Sequence, residues 1–324
     1  MFNGWLTENA ARRVVGLAGL ELDELMAQAE SRDFRPIPLG VRTSLRLTAQ
    51  IRHQETANVL GIVPGSDPEL KDEFVIFTAH HDHLGLAPAR DASGDNVYNG
   101  AIDNASGVAL LLTMLRELVS IQPRPRRSFL IAFVGAEEQG LLGSKYLAQH
   151  SPIHPGAISA VINIDGINFL GRTHDVNLIS MGKSDLDELV VQVARAQGRT
   201  VVPDLDPDRG YYYRSDQFSF AQIGVPGVYL HSGIHVVGKP EGWGKQQLDR
   251  WVQEIYHQPA DEYDDSWNLD GALEDGQLLL AVALLAANQS QMAQWYAGDE
   301  FAATREKALA DREKKQQSMA SPSP

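Results

Sequence analysis

The chain has 324 residues, 43% hydrophobic and 22% charged, a globular composition in a length that buries a substantial core. Its 28 basic and 42 acidic side chains leave a net charge of −14, which argues against nucleic acid or an anionic membrane surface as partner and suits metals and free amino groups. With no cysteine, disulfides, thiolate metal sites and cysteine nucleophiles are excluded, so any metal must be held by His, Asp and Glu.

The opening stretch MFNGWLTENAARRVV lacks the basic and apolar regions of a signal peptide. No run of about 18 apolar residues is present, so no membrane-spanning helix is expected. Residues 8–30 carry helical periodicity broken by a glycine, and the prolines of SRDFRPIPLG make the next stretch an extended linker. Residues 43–54, within RTSLRLTAQIRHQ, alternate apolar and polar side chains and predict a half-buried strand. ANVLGIVPG and EFVIFTA are short β-rich runs separated by turn signals. Residues 107–121 predict a helix stopped by QPRPRR, and 128–136 and 158–166 predict buried strands. A helix near 184–197, a helix or loop near 215–223, a strand over 224–230 and a long apolar helix near 275–297 follow. The segment from 304 onward is charged and then rich in Ser and Pro, which reads as a frayed helix ending in disorder. Alternating β and α elements with near-continuous apolar strands predict an α/β fold, a mostly parallel central sheet flanked by helices on both faces.

Ligands of such sheets bind beyond the carboxyl ends of the strands. Three predicted strands end in titratable chemistry: EFVIFTA runs into His80-His81-Asp82-His83, SFLIAFVGA into Glu137-Glu138, and AVINI into Asp165. Taken singly, each has a plainer reading. Glu137-Glu138 suits a helix N-terminus, Asp103 in DNASG suits an N-cap or Asx-turn, and His257 beside Tyr256 suits a structural histidine. Taken together, His80, Asp103, Glu138, Asp165 and His257 supply two imidazoles and three carboxylates, good ligands for zinc and acceptable ones for manganese or cobalt. Five ligands exceed one tetrahedral ion and suit two ions sharing a carboxylate.

TAHHDHLG, NGAIDNASG, AEEQGLLGSKYL, INIDG, RSDQFSFAQIGVPG and YHQPADEYD, in this order, resemble the co-catalytic zinc aminopeptidases of metallopeptidase family twenty-eight, relatives of the glutaminyl cyclases and the transferrin-receptor ectodomain. The resemblance covers residues 43–298 and implies a zinc-exopeptidase (phosphorylase/hydrolase-like) architecture with two zinc ions per chain. It implies His80 and Asp165 on the first ion, Glu138 and His257 on the second, and Asp103 bridging both. Glu137 would be the general base toward the attacking water, Asp82 the carboxylate orienting His80, and Tyr256 a hydroxyl stabilising the oxyanion. The peptide after the bridging aspartate, Asp103-Asn104, is often cis in this family. The implied activity is hydrolysis of the N-terminal bond of a peptide or aminoacyl substrate, and export to the periplasm or beyond the cell. Three alternatives stay open on the same scaffold: a glutaminyl-peptide cyclotransferase, a carboxypeptidase or dipeptidase, and a non-catalytic ectodomain.

Residues 1–42 then read as a helix and linker, a remnant following an absent protease-associated domain, 43–298 as the catalytic domain, and 299–324 as a flexible tail. Tyr213, Arg214 and Phe218 are expected near the substrate side-chain pocket. His83 is expected to be structural or solvent-exposed, His81 to point away from the site, and His231 and His235 sit in a glycine-rich stretch that is a candidate lining of the pocket.

Overall fold

The structure, a computed structural model, describes residues 4–51, 53–87 and 94–320. The chain divides into two compact units, residues 1–54 and 55–324.

In the first unit, α1 (Glu8–Leu17) and α2 (Leu22–Ala29) realise the expected helix and its glycine break. Thr7 caps α1 by accepting from the Ala10 N–H at 3.3 Å. Arg12 donates to Glu8 and to both carboxylate oxygens of Asp23 at 2.8–2.9 Å, tying the two helices together. The strand expected over 43–54 does not form. The described residues 43–51 and 53–54 have no regular structure, and Leu45, Leu47 and Ile51 are 60–80% exposed. Period-two alternation makes a strand only where a neighbour completes the hydrogen-bond ladder, and no strand among the described residues pairs with this segment.

The second unit runs β1 (Val59–Val63), β2 (Phe74–His80), β3 (Gly85–Leu86), β4 (Val97–Tyr98), α3 (Gly107–Ser120), β5 (Ser128–Val134), α4 (Leu142–His150), β6 (Ile158–Asn163), β7 (Asp175–Leu178), α5 (Leu186–Ala196), β8 (Thr200–Pro203), α6 (Gln217–Ala221), β9 (Gly227–His231), α7 (Trp243–Glu254), α8 (Asp270–Asn288) and α9 (Ala302–Ala320). Seven strands form one sheet in the order β1-β5-β2-β6-β9-β7-β8, while β3 and β4 make a separate hairpin. β5, β2, β6 and β9 run parallel in succession, and β7 is parallel to β8. Only the β1–β5 and β7–β9 pairs are antiparallel, so the sheet is mostly parallel.

Residues 75, 77 and 79 of β2 face a core shared with α3, α5 and α8, and Ile76 faces a second core shared with α4 and α6. Burial on both faces is why β2, β5 and β6 read as continuous apolar runs. The last long apolar helix, α8, begins at Asp270 and ends at Asn288 instead of spanning 275–297.

The segment from 299 is also more than a flexible tail. Arg305 of α9, 1% exposed, donates to the carbonyls of Ile158 at 2.8 Å and Ala293 at 3.1 Å. Arg312 reaches Glu73 at 2.8 Å, and Glu73 also accepts from Arg127 at 2.7 Å. A buried guanidinium is retained only where carbonyls or carboxylates meet it, so these contacts fix α9 to the domain through at least Arg312.

Candidate metal centre

Because β5, β2 and β6 are adjacent and parallel, their carboxyl ends share one edge of the sheet. His80 is the last residue of β2, Glu137 and Glu138 follow β5, and Asp165 follows β6. Asp103 comes from the irregular turn before α3 and His257 from the segment after α7. The structure brings all six side chains together. His80 Nε2 lies 3.0 Å from Asp103 Oδ1 and 3.2 Å from Asp165 Oδ1. His257 Nε2 lies 3.1 Å from Asp103 Oδ2 and 3.1 Å from Glu138 Oε2. The two oxygens of Asp103 therefore face different imidazoles, one in each half of the cage.

The backbone around Asp103 is held from both sides. Asp261, fully buried, accepts the N–H groups of Ile102 and Asp103 on its two oxygens at 3.0 Å each. The next peptide, Asp103-Asn104, is cis. Asn104 donates to the Ile164 carbonyl at 2.9 Å and accepts from Gly107 N–H at 3.1 Å and Gly166 N–H at 2.8 Å, so one amide joins the Asp103 turn to the Asp165 turn. Gly107 permits this closeness, since a Cβ there would lie 2.1 Å from Asn104 Oδ1. Nothing in the sequence marks Asp261 or Asn104 for this supporting role beyond their places inside YHQPADEYD and NGAIDNASG.

His80 Nδ1 faces the backbone carbonyl of Asp82 at 3.1 Å, while the Asp82 carboxylate stands 3.8 Å away. That carboxylate instead accepts the N–H groups of Glu137 and Glu138 at 3.0 and 3.3 Å. The side chain expected to orient the imidazole thus holds the glutamate turn, because successive amides after β5 present two donors to it. Ala136 and His257, flanking the chemistry on two loops, both adopt φ of 57°, in the left-handed region that non-glycine residues rarely enter.

Charge in the cage follows burial and neighbours. Burial, reinforced by the charges of Asp165, Asp216 and Glu138, pushes the Glu137 carboxyl up to about 9 against the opposing pull of His80. Burial also works against ionisation of Glu138, but His257 and His83 outweigh it and bring that group down to about 2. His257 is raised to about 9, its burial overcome by Asp103 and Glu138. His80 is raised as well, burial again being overcome, here by Asp165 and Asp103. Burial and like charge thus work against ionisation of Glu137, while the two imidazoles favour it at Glu138.

This donor set fits divalent cations. Two groups, His80 with Asp103 and Asp165, and His83 with Asp103 and Glu138, each present ligand atoms within 4.8 Å of one another. Oxygen and imidazole donors around mutual carboxylate repulsion are what zinc, manganese or cobalt would relieve. Glu138 Oε1 is buried without a hydrogen-bond partner, an orphan that a cation would satisfy.

A cavity of about 260 Å³ opens beside the cage, lined by Glu137, Asp165 and Tyr256 and walled by Phe169, Leu248 and Trp251. The Tyr256 ring stacks on His257 at 3.8 Å between centroids. Arg214 and Tyr211 line the cavity, as does His231, which contacts the Tyr229 hydroxyl at 2.9 Å. Tyr213 and Phe218 do not. Tyr213 is 46% exposed and donates to Glu300 at 2.6 Å, and Phe218 packs against Tyr213 and Phe301. Three consecutive tyrosines in a short helical turn point in different directions, so only part of that aromatic run reaches the site. His81 turns away, to the Ala57 carbonyl at 3.1 Å, and His235 pairs with Asp175 at 3.1 Å outside the cavity lining.

Residues 58–282 match the model of Peptidase family M28. Aminopeptidase YwaD of Bacillus subtilis (strain 168) is 26% identical over 255 residues, covering 76% of this chain and 48% of that protein. The probable lipoprotein aminopeptidase LpqL of Mycobacterium tuberculosis is 26% identical over 241 residues, covering 68% of this chain and 44% of that protein. Among solved structures, BSAP, a zinc aminopeptidase from Bacillus subtilis, shares the fold with a TM-score of 0.53 at 22% identity, over 72% of this chain and 50% of that one. LapA aminopeptidase of Legionella pneumophila gives 0.53 at 17% identity, over 72% and 56%. The chain spans about half the length of the curated relatives it matches.

Proposed function

This chain belongs to peptidase family M28, and from that premise we propose that it is a metal-dependent aminopeptidase working with two zinc ions. The observation that carries the reading is the split carboxylate of Asp103, one oxygen toward His80 and the other toward His257. His80 and Asp165 would hold one ion, Glu138 and His257 the other, and Asp103 would join them. Bound there, the ions supply Lewis acidity and lower the pKa of water toward neutrality.

The chain's own residues do the rest. Glu137, next to the cage and lining the cavity, accepts the proton of the attacking water and returns it to the departing amine. Burial and carboxylate repulsion raise its proton affinity, and with two cations bound beside it that repulsion is offset, leaving it ionised to take that proton. Asp82 fixes the glutamate turn through two backbone N–H groups, so the base and its ionised neighbour keep their places. Tyr256 lines the cavity beside His257 and is placed to donate to a developing oxyanion. The carboxylates lining the cavity attract a free α-amino group, and Phe169, Leu248 and Trp251 suit an apolar first residue.

One observation favours a second reading. Arg214 lines the cavity, and among the described residues no carboxylate pairs with it, so it is available to a substrate carboxylate as in a carboxypeptidase or dipeptidase. A single comparison separates the two. The protein is expected to cleave leucyl-p-nitroanilide, to lose that activity to a chelator and recover it with zinc, and to leave the N-acetylated compound intact. Equal cleavage of the free and acetylated substrates refutes the aminopeptidase reading.

A further inference from the structure

We propose that His83 is a third imidazole ligand, completing the second cation position together with Glu138, Asp103 and His257. The proposal rests on the two-ion reading above and adds a residue to it. The His83 side chain is 7% exposed; its Nε2 is buried with no partner, and its Nδ1 meets only Glu138 Oε1. The buried Nε2 without a partner is costly, and packing alone does not account for it.

Where the ring aims is informative. Nδ1 lies 2.7 Å from Glu138 Oε1, an oxygen with no other partner. Two ligand-type atoms this close can share one cation in place of pairing with each other. Asp103 offers an oxygen beside them, the three ligand atoms lying within 4.8 Å of one another. Two donors each about 2.0–2.2 Å from one zinc lie no more than about 4.4 Å apart, so these atoms need at most a small closure to share an ion. Oε2 of Glu138 faces His257, so the carboxylate has one oxygen toward each imidazole.

The fold holds the ring in this place. His83 stands edge-on to His257 at 5.6 Å and tilted against Tyr98 at 6.4 Å between centroids. Gly100 leaves the room for it: a Cβ at that position would sit 2.7 Å from His83 Cγ. The second position would then have two imidazoles and the first only one, a nitrogen-rich and an oxygen-rich half sharing Asp103.

The test is a count of ligating nitrogens. Protein labelled with 15N-histidine and loaded with 113Cd is expected to show three cadmium-coupled imidazole nitrogens, two of Nε2 type from His80 and His257 and one of Nδ1 type. His83→Gln is expected to remove the Nδ1 coupling and keep the other two, and to weaken the second ion at least tenfold in a chelator competition. Two couplings in the unaltered protein, both Nε2, would overturn the proposal without touching the two-ion reading. Uptake of a single ion by the unaltered protein would overturn both.

Discussion

Asn104→Ala removes no candidate ligand and no reacting group, yet it should be among the more damaging single changes. The amide makes three buried hydrogen bonds, to the Ile164 carbonyl, the Gly107 N–H and the Gly166 N–H, at 2.8–3.1 Å. Asn104 is 2% exposed, so water does not readily replace them. Stranding two N–H donors at about 1–3 kcal/mol each, with some relaxation, puts the loss at about 2–5 kcal/mol. For a domain of this size that lowers the thermal midpoint by roughly 5–15 °C. Urea and thermal unfolding of the metal-free protein measure the effect, and Gly107→Ala, which drives a Cβ to 2.1 Å from Asn104 Oδ1, should reproduce it. Because the same amide joins the turns of Asp103 and Asp165, zinc affinity should fall along with stability. A loss under about 1 kcal/mol in both variants refutes the idea that this amide locks the two turns together.

Glu137→Gln should lower kcat by roughly 10²–10⁴-fold while zinc uptake stays as in the unaltered protein; activity within tenfold would remove Glu137 from the proton path. Asp261→Ala leaves the Ile102 and Asp103 N–H groups without acceptors and should cost about 2–5 kcal/mol in unfolding experiments, with weakened binding of both ions. Unchanged stability would show that the Asp103 turn does not depend on this contact. Asp187 lies away from the cage, 8% exposed, its carboxylate accepting from Gly182 N–H, and burial lifts its pKa from 3.8 to about 6. The folded value exceeds the unfolded one, so its stabilising contribution is full below pH 3.8 and is lost as pH rises through about 6. Asp187→Asn should therefore gain roughly 1–3 kcal/mol over the unaltered protein between pH 4 and pH 8. A stability difference that stays flat over that interval contradicts the assigned shift.

What the sequence discloses of this fold depends on where each element is buried. β2, β5 and β6 are covered on both faces, so EFVIFTA, SFLIAFV and ISAVIN stand out as apolar runs, and their order beside one another follows from parallel α/β architecture. β7 and β8, the short strands Asp175–Leu178 and Thr200–Pro203, carry polar residues and a proline and give no such signal. Residues 43–54 alternate as a strand should, but alternation says nothing about whether a partner exists. The end of α8 at Asn288 is set by tertiary contacts: the Arg127 side chain and backbone N–H bond carbonyls at 286, 287 and 289, which periodicity does not reveal. At the site, chemistry-bearing residues at strand ends are legible as a set, and the motif order sharpens them into candidate ligands and a candidate base. Asp82 is legible as an acid near His80, but its acceptance of the two glutamate amides depends on the turn after β5. Asp261 looks ordinary in the sequence and His83 is one of three clustered histidines with nothing to rank it, because their importance lies in burial and in the partners that they have or lack.

Zinc-edge anomalous scattering from crystals grown with zinc tests the central claim most directly. Two peaks are expected, one between His80, Asp103 and Asp165 and the other between Asp103, Glu138 and His257, with the Asp103 carboxylate between them. A single peak, or density only at surface histidines, would contradict a two-ion centre built on that shared carboxylate.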